Sequence, residues 1–214
     1  MIFTCGAILF DLDGVLVDST SAVERVWRKW ALEHHLDPQH VIEHAHGRRS
    51  IETIQMVAPE LDAAQENLRV ERMEIGDKEG VIALPGASEL MRYLPKGRFA
   101  IVTSATRELA EARLRYADLP APERLITADD VSSGKPSPEP YLMGAALLGI
   151  VPADCLVIED TPAGVQSARS AGMQVVALST TYPAHELKAA DAVVDSLAEI
   201  NAKFANGVIE VQSK

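Results

Sequence analysis

Apolar and polar positions alternate along the chain in two patterns, and the change between them divides the sequence into regions. In the first pattern, short apolar runs of strand length are separated by segments with helical spacing, both at residues 7–10 and from residue 87 onwards. This pattern predicts strands at 99–103, 124–127, 155–158, 175–178 and 192–194, and helices at 87–94, 108–116, 138–148, 162–171 and 185–190. Such alternation is typical of a parallel sheet covered on both faces by helices. Only the residues from Asn206 onwards are expected to be loosely tethered.

The second pattern follows the first strand, where apolar residues recur at helical spacing over about sixty positions without a strand among them. Ser21 is expected to cap a first helix, Pro38 to open a second, Ser50 to cap a third and Asp62 to cap a fourth. We therefore predict an α/β fold with a Rossmann-like parallel sheet core and a small all-helical cap inserted after the first strand. The predicted boundaries are 1–17 and 83–214 for the core and 18–82 for the cap.

Composition narrows the class of protein. The chain has 214 residues, 47% of them hydrophobic, and a net charge of −11, with no basic stripe that would suit nucleic acid. No stretch approaches the roughly 18 consecutive apolar residues of a membrane helix, and the N-terminus lacks the features of a signal peptide. Cys5 and Cys155 lie in apolar runs and are expected to be core residues. We expect a cytoplasmic monomer that binds neither nucleic acid nor membranes.

The first strand ends in two carboxylates at alternate positions, Asp11 and Asp13, followed at once by Gly14. Alternate residues of a strand project from the same face, so both carboxylates can converge just beyond its carboxyl end, where open parallel sheets bind their ligands. Carboxylates held this close repel one another and favour a hard divalent cation between them. Taken alone, the same residues are also compatible with a strand followed by an Asp-Gly turn.

Three other strand ends carry polar residues that complete a possible phosphate site. Residues 103–106 supply hydroxyls and the backbone N–H groups of a helix start, with Ser104, Ala105 and Thr106 as candidate phosphate contacts. Lys135 precedes the next helix, and Glu159 with Asp160 follows another strand. The candidate metal ligands of this edge are Asp11, Asp13 through its backbone carbonyl, Glu159 and Asp160.

These residue types suit phosphoryl transfer. Mg²⁺ between Asp11, a phosphate and Asp160 would remove most of their mutual repulsion. Lys135 offers a second positive charge to Asp11 and to the phosphate. Asp11 is the candidate nucleophile, forming an aspartyl-phosphate. Asp13 is the candidate general acid for the leaving alkoxide and then the base for water, which requires its side-chain oxygens to be free of the metal.

These residues resemble the motifs of the haloacid dehalogenase superfamily, and of its phosphatase branch in particular. The matching motifs are residues 11–19, Ser104, Lys135 and the pair Glu159 and Asp160. The resemblance implies that the helical insertion is the cap of that branch, which closes over the core, excludes water and selects the substrate. It also implies hinge segments at 15–19 and 82–86.

Within that branch, residues 46–49, 102–104 and 159–165 are similar to the sugar-phosphate phosphatases, with 2-deoxyglucose-6-phosphate and glycerol-phosphate phosphatases as relatives. This similarity implies a small sugar or polyol phosphate as substrate, bound in part by Gly47, Arg48 and Arg49 of the cap. Arginines on a polar turn are equally compatible with a solvated surface.

Two alternative functions stay open at this point. A hexose-phosphate mutase related to β-phosphoglucomutase would carry a cap histidine shortly after the first motif, where this chain has Val23. A phospho-accepting signalling domain would need neither Asp13 as an acid nor a cap. The role of Glu159, as a direct metal ligand or as a partner of Lys135, is also open.

Overall fold

The computed structural model describes residues 1–213. The strands of this part of the chain are β1 (Ile2–Cys5), β2 (Ala7–Phe10), β3 (Val17–Asp18), β4 (Ile82–Ala83), β5 (Phe99–Val102), β6 (Leu125–Ile126), β7 (Cys155–Glu159), β8 (Gln174–Leu178), β9 (Ala192–Val194), β10 (Ile200–Ala205) and β11 (Val208–Ser213). Its α-helices are α1 (Thr20–Glu33), α2 (Pro38–Ala45), α3 (Ser50–Val57), α4 (Ala63–Gly76), α5 (Ala87–Tyr93), α6 (Arg107–Tyr116), α7 (Glu139–Leu148) and α8 (Pro162–Ser170).

A six-stranded parallel sheet with the order β6-β5-β2-β7-β8-β9 forms the centre of the core. All four residues of β2 are fully buried, because apolar clusters cover both faces of the sheet. This strand pairs with β5 on one side and β7 on the other, so that Ile8 lies opposite both Phe99 and Leu156. The α/β fold is confirmed, and the ends of β5, β2 and β7 lie side by side.

The helices α1 to α4 pack around an apolar cluster of their own, which includes Trp27, Trp30 and Ile54. At both ends of this insertion the chain forms a short antiparallel ribbon in which β3 pairs with β4. The sequence did not reveal these two-residue strands. The proposed division of core and cap at 17/18 and 82/83 falls on this ribbon.

The helix starts of the insertion were predicted with mixed success. Asp62 caps α4 as predicted, since its carboxylate accepts hydrogen bonds from the backbone N–H groups of the first turn. Ser21 is not a cap, because α1 begins at Thr20 and Ser21 is its second residue. Asp18 accepts the N–H of Thr20 at 3.1 Å. Ser50 is the first residue of α3 and not its cap.

The C-terminal segment departs from the prediction. Residues predicted to be loosely tethered form β11, which pairs with both β10 and β1 in a three-stranded antiparallel sheet. Asn206 and Gly207 both have positive φ, at 52° and 84°, which is the geometry of a tight hairpin turn. The Asn-Gly pair was the signal for this hairpin, and the buried Ile209 and Val211 anchor it.

Three further features bear on the predictions. The helix predicted at 185–190 is absent, and turns connect β8 to β9 because this segment buries only Leu187 well. Cys5 and Cys155 are buried, as predicted, and their thiols are free. Within residues 1–213, every helix is too short or too polar to cross a membrane.

Candidate active site

The carboxyl ends of three adjacent strands bring the predicted site residues together. Asp11 follows β2 directly, and its backbone N–H donates to the carbonyl of Ile158 at 3.0 Å, which keeps it next to β7. Glu159 is the last residue of β7, with Asp160 immediately after it. A cavity of about 60 Å³ lies over this edge, between the sheet and the helical insertion. Its walls include, from the sheet side, Asp11, Asp13, Ser104, Ala105 and Asp160, and from the insertion, Val23, Trp27, His46, Gly47, Arg48 and Glu74.

Lys135 is the buried cation of this edge. Its Nζ lies 2.8 Å from Asp11 Oδ1 and 2.6 Å from Glu159 Oε1, and its side chain is 1% exposed. Burial by itself would lower the pKa of Lys135, but the two carboxylates outweigh it and raise that pKa above its ordinary value. The ammonium group is therefore held in its charged form beside Asp11.

The Glu159 carboxylate has no free oxygen. Oε1 accepts hydrogen bonds from Lys135 Nζ and, at 3.0 Å, from the hydroxyl of Tyr141. Oε2 accepts from the backbone N–H groups of Asp160 at 2.8 Å and Thr161 at 2.9 Å. Burial alone would raise the pKa of Glu159, but Lys135 and these N–H groups lower it. Glu159 is thus an ionised partner of Lys135 rather than a carboxylate with a lone pair to spare for a metal.

Gly164 makes room for this arrangement. It lies in the first turn of α8, directly over the Glu159 side chain, and a Cβ atom at this position would overlap the carboxylate. The sequence places glycine here within a helix, where its backbone freedom is a cost. A residue with a side chain would not fit at position 164, because the α8 backbone lies so close to the Glu159 carboxylate.

Asp11 and Asp160 fit a hard divalent cation. Burial, with the nearby charges of Glu159 and Asp13, raises the pKa of Asp11 to about 7, although Lys135 opposes this. Burial also raises the pKa of Asp160, which is 1% exposed and whose Oδ1 atom has no hydrogen-bond partner within residues 1–213. One oxygen each of Asp11, Glu159 and Asp160 lie within 4.8 Å of one another. A cation would supply the missing partner of Asp160 and offset the repulsion, as Mg²⁺ or Ca²⁺ does among carboxylates.

Asp13 lies apart from that acidic group and is held from two sides. Its Oδ1 atom accepts a hydrogen bond from Ser19 Oγ at 2.6 Å, and its Oδ2 atom accepts one from Arg113 Nη1 at 2.6 Å. Its side chain is 28% exposed, toward the cavity. The carboxylate is therefore fixed in direction but not enclosed.

Arg113 and Glu74 were missed in the sequence. Arg113 is 7% exposed and also binds Glu74 of α4, with 3.2 Å between Nη2 and Oε2. The available signal was position: Arg113 lies four residues after the buried Leu109, so it shares the apolar face of its helix. Glu74 lies four residues after the buried Val70 in the same way.

The predicted phosphate contacts after β5 are partly in place. Ser104 Oγ lies at the cavity wall, where it donates to the carbonyl of Gly47 at 3.0 Å, and Ala105 lines the cavity beside it. Thr106 caps α6 by position but lies outside the cavity wall. The structure thus brings Ser104, Ala105 and Gly47 together at the cavity, whereas Thr106 does not line it.

The two adjacent arginines have different surroundings. Arg48 lines the cavity. Arg49 points away from it: its Nε donates to Glu52 at 2.8 Å, and its other nitrogens donate to the carbonyls of Val131 at 3.2 Å and Ser132 at 3.1 Å. Arg49 therefore ties α3 to a loop of the core, which the sequence could not distinguish from a substrate contact.

Comparisons with known proteins agree with this geometry. A family model described as haloacid dehalogenase-like hydrolase matches residues 5–172. Hexitol phosphatase A of Escherichia coli (strain K12) is 44% identical, over 97% of this chain and 99% of that protein. Glycerol-1-phosphate phosphohydrolase 1 of Saccharomyces cerevisiae (strain ATCC 204508 / S288c) is 36% identical, over 85% of this chain and 78% of that protein. The crystal structure of a hydrolase from Pseudomonas syringae superposes with a TM-score of 0.80 at 30% identity, covering 89% of this chain and 94% of that one. These matches confirm the resemblance that the four motifs indicated.

Proposed function

The chain belongs to the haloacid dehalogenase-like hydrolase family, and we propose that it is a magnesium-dependent phosphatase of a small sugar or polyol phosphate. The observation that carries the proposal is the arrangement at the end of β2. A buried carboxylate, Asp11, lies 2.8 Å from the buried Lys135 and beside Asp160, whose Oδ1 atom lacks a partner in the part of the chain that the structure describes. A phosphate monoester that enters this cavity meets a nucleophile, a fixed cation and a place for a divalent cation.

In the proposed reaction, the Asp11 carboxylate attacks phosphorus while the bond from phosphorus to the ester oxygen breaks. Asp13 gives a proton to that departing oxygen, so the alcohol leaves neutral. Asp13 then takes a proton from a water molecule that attacks the aspartyl-phosphate, which releases inorganic phosphate and restores Asp11. Lys135 balances the charge of Asp11, and Ser104 donates a hydrogen bond to the phosphoryl group.

The Asp11 and Asp160 carboxylates, with the backbone carbonyl of Asp13, would hold the magnesium ion. When bound, this ion neutralises charge on the transferring phosphoryl group. Glu159 acts indirectly, through Lys135, because its oxygens already accept hydrogen bonds from Lys135, Tyr141 and backbone N–H groups.

The wall contributed by the insertion supports a polar, hydroxylated leaving group. Arg48, His46, Glu74 and Val23 reach the cavity from this side. The resemblance to the β-phosphoglucomutases implies that a mutase would carry a histidine in the place of Val23. An apolar residue there offers nothing to protect the phosphoenzyme from water. The names of the relatives, a hexitol phosphatase and a glycerol-1-phosphate phosphohydrolase, point to polyol phosphates first. A monomeric state and a cytoplasmic location stay predictions.

A substrate screen with the purified protein tests the proposal. Phosphate release is measured from hexitol phosphates, glycerol phosphates and hexose phosphates, with Mg²⁺ and with a chelator. We expect release that requires the metal and falls by at least about 10⁴-fold in Asp11→Asn. Asp118→Asn is the matched control, because Asp118 is an exposed aspartate whose positive φ of 53° asparagine also tolerates.

Trapping the intermediate tests the nucleophile directly. Borohydride reduces an aspartyl-phosphate to homoserine, and mass spectrometry locates the reduced residue. Homoserine at position 11 after mixing with substrate is the expected result. Full activity in Asp11→Asn, or transfer of labelled phosphate between two positions of a sugar with no free phosphate, would sink the proposal.

A further inference from the structure

We propose that Arg113 is a positioning residue that directs the Asp13 carboxylate and ties it to the helical insertion through Glu74. The inference rests on the proposed role of Asp13 as acid and base. Arg113 comes from α6 of the core, Asp13 from the end of β2, and Glu74 from α4 of the insertion. The guanidinium fork joins all three, with Nη1 2.6 Å from Asp13 Oδ2 and Nη2 3.2 Å from Glu74 Oε2.

Burial explains why Arg113 needs both partners. Its side chain is 9% exposed and that of Glu74 is 5% exposed, so neither charge is well hydrated. A buried charge is tolerated only when it is paired and hydrogen-bonded. Arginine suits the position because its planar fork presents separate N–H groups to two carboxylates in a fixed geometry.

A second contact shows that α6 and α4 meet along a shared edge. Tyr116, three residues after Arg113 and therefore on the same side of α6, donates its hydroxyl hydrogen to the carbonyl of Ile75 at 2.7 Å. Ile75 is the residue after Glu74. The Arg113–Glu74 pair is thus one of two polar links between these helices, and it is the link that reaches the active site.

The other Asp13 oxygen depends on the insertion as well. Ser19, which donates to Oδ1 at 2.6 Å, is the residue immediately before α1. Each carboxylate oxygen has two lone-pair directions, so one hydrogen bond per oxygen leaves room to exchange a proton with substrate or water. The direction of the Asp13 carboxylate therefore depends on the packing of α1 and α4 against the core. Arg113 is the core residue that links Asp13 to α4.

Leaving-group dependence separates this role from a merely structural one. An alkyl phosphate needs a proton on the departing oxygen, whereas p-nitrophenolate leaves as a stable anion. The ratio kcat/KM covers steps up to transfer onto Asp11, in which Asp13 acts as an acid. A fault in the direction of Asp13 should therefore reduce kcat/KM for a polyol phosphate far more than for p-nitrophenyl phosphate.

The variants are Arg113→Met, which keeps the length of the side chain without its charge, and Arg113→Lys, which keeps a charge without the fork. We expect Arg113→Met to lower kcat/KM about 10²-fold for the best polyol phosphate and about 3-fold for p-nitrophenyl phosphate. Arg113→Lys should recover part of the loss. Glu74→Gln should show the same preference with a smaller effect, and Arg113→Met with Glu74→Gln should be no worse than Arg113→Met alone.

Arg115→Met is the matched control, because Arg115 is an exposed arginine of the same helix, stacked on Tyr116. Equal losses on both substrates, or a rise in KM on both with kcat unchanged, would overturn the inference and assign Arg113 to folding or to substrate binding. Asp13→Asn is run beside it. If Asp13→Asn shows the leaving-group preference and Arg113→Met does not, the inference alone fails. If Asp13→Asn shows no preference, the proposed role of Asp13 fails and the inference with it.

Discussion

The candidate active site contains two triads of charged side chains, in each of which one cation lies between two carboxylates. The triads differ in which parts of the chain supply their members. All three residues of the first triad come from strand ends and loops of the core. The second triad joins the core to the helical insertion. We call them the nucleophile triad (Asp11, Lys135, Glu159) and the acid/base triad (Asp13, Arg113, Glu74).

The nucleophile triad is complete without the insertion. Every member is at most 5% exposed in its side chain, and Tyr141 and the backbone N–H groups of Asp160 and Thr161, between β7 and α8, fix Glu159 further. The acid/base triad is looser, since the Asp13 side chain is 28% exposed and Glu74 belongs to α4. The position of the proposed nucleophile, Asp11, is therefore fixed by residues of the core alone. The position of the proposed acid and base, Asp13, depends on contact between the core and the helical insertion.

The largest effect is expected from removing the cation of the nucleophile triad. Lys135→Met leaves two buried carboxylates facing one another, and breaking a buried pair in this way costs about 3–5 kcal/mol of unfolding free energy. Arg113→Met should cost about half as much, because Asp13 retains water and the Ser19 hydrogen bond. Urea denaturation measures both, with Lys188→Met at an exposed position as control. Equal losses for the two cations would remove the difference between the triads.

A smaller effect is expected from crowding the nucleophile triad without changing its charge. In Gly164→Ala the new methyl group overlaps the Glu159 carboxylate, which must move away from Lys135. Overpacking of this kind costs about 1–3 kcal/mol, and phosphatase activity should fall with it. Gly76→Ala is the matched control at the end of α4, where a Cβ would have no neighbour within 4 Å. A fully stable and active Gly164→Ala would show that Glu159 is not held as tightly as described.

The pH dependence of stability should distinguish the two triads, because Asp11 of the nucleophile triad is a proposed magnesium ligand and Glu74 of the acid/base triad is not. Asp11 ionises near 3.8 when unfolded, but its pKa is raised to about 7 in the metal-free fold, chiefly by burial. The folded state therefore binds more protons between these values, and the stability it gains at pH 4 is lost as pH rises to 7. Mg²⁺ binds the ionised form, so it should raise Tm more at pH 8 than at pH 5, and Asp160→Asn should abolish the difference.

Ionisation of Glu74 should lower the stability of the fold as pH rises, as ionisation of Asp11 does, but Mg²⁺ should not change this effect. Its pKa is also raised to about 7, mainly by burial, although Arg113 opposes the shift. It lies outside the acidic group of Asp11, Glu159 and Asp160. Glu74→Gln should therefore flatten the part of the pH dependence that persists in saturating Mg²⁺. Thermal unfolding across pH 4–8 measures this, and an unchanged curve would contradict it.

The smallest effects concern the two arginines of the insertion. Arg48 faces the cavity, so Arg48→Met should raise KM for a polyol phosphate about 10-fold, the size of one charge-assisted hydrogen bond. Arg49→Met should raise KM less than about 3-fold, because that side chain holds Glu52 and loop carbonyls and such partly exposed pairs contribute little. Steady-state kinetics decides, and the reverse order of effects would place Arg49 at the substrate.

Much of the fold followed from local patterns. The apolar runs at β2, β5, β7 and β8 were visible because a strand buried on both faces must be apolar throughout. The hairpin of β10 and β11 was missed although Asn206 and Gly207 marked its turn. The helix predicted near His185 failed because its few apolar residues do not form a face that the core could bury.

The sequence by itself determined which side chains follow the strand ends, Asp11, Asp13 and Asp160 among them, since the period and the end of a buried strand are local properties of the chain. Lys135 was predicted at a strand end as well, but it lies in the loop between β6 and α7. Only the tertiary structure decided what each of them touches. It made Glu159 the partner of Lys135 instead of a free ligand, and it brought Arg113 to Asp13 and Glu74 from distant parts of the chain. The physical reason is that a charge buried in a packed interior must find its counter-charge across elements, and no local pattern records which elements will meet.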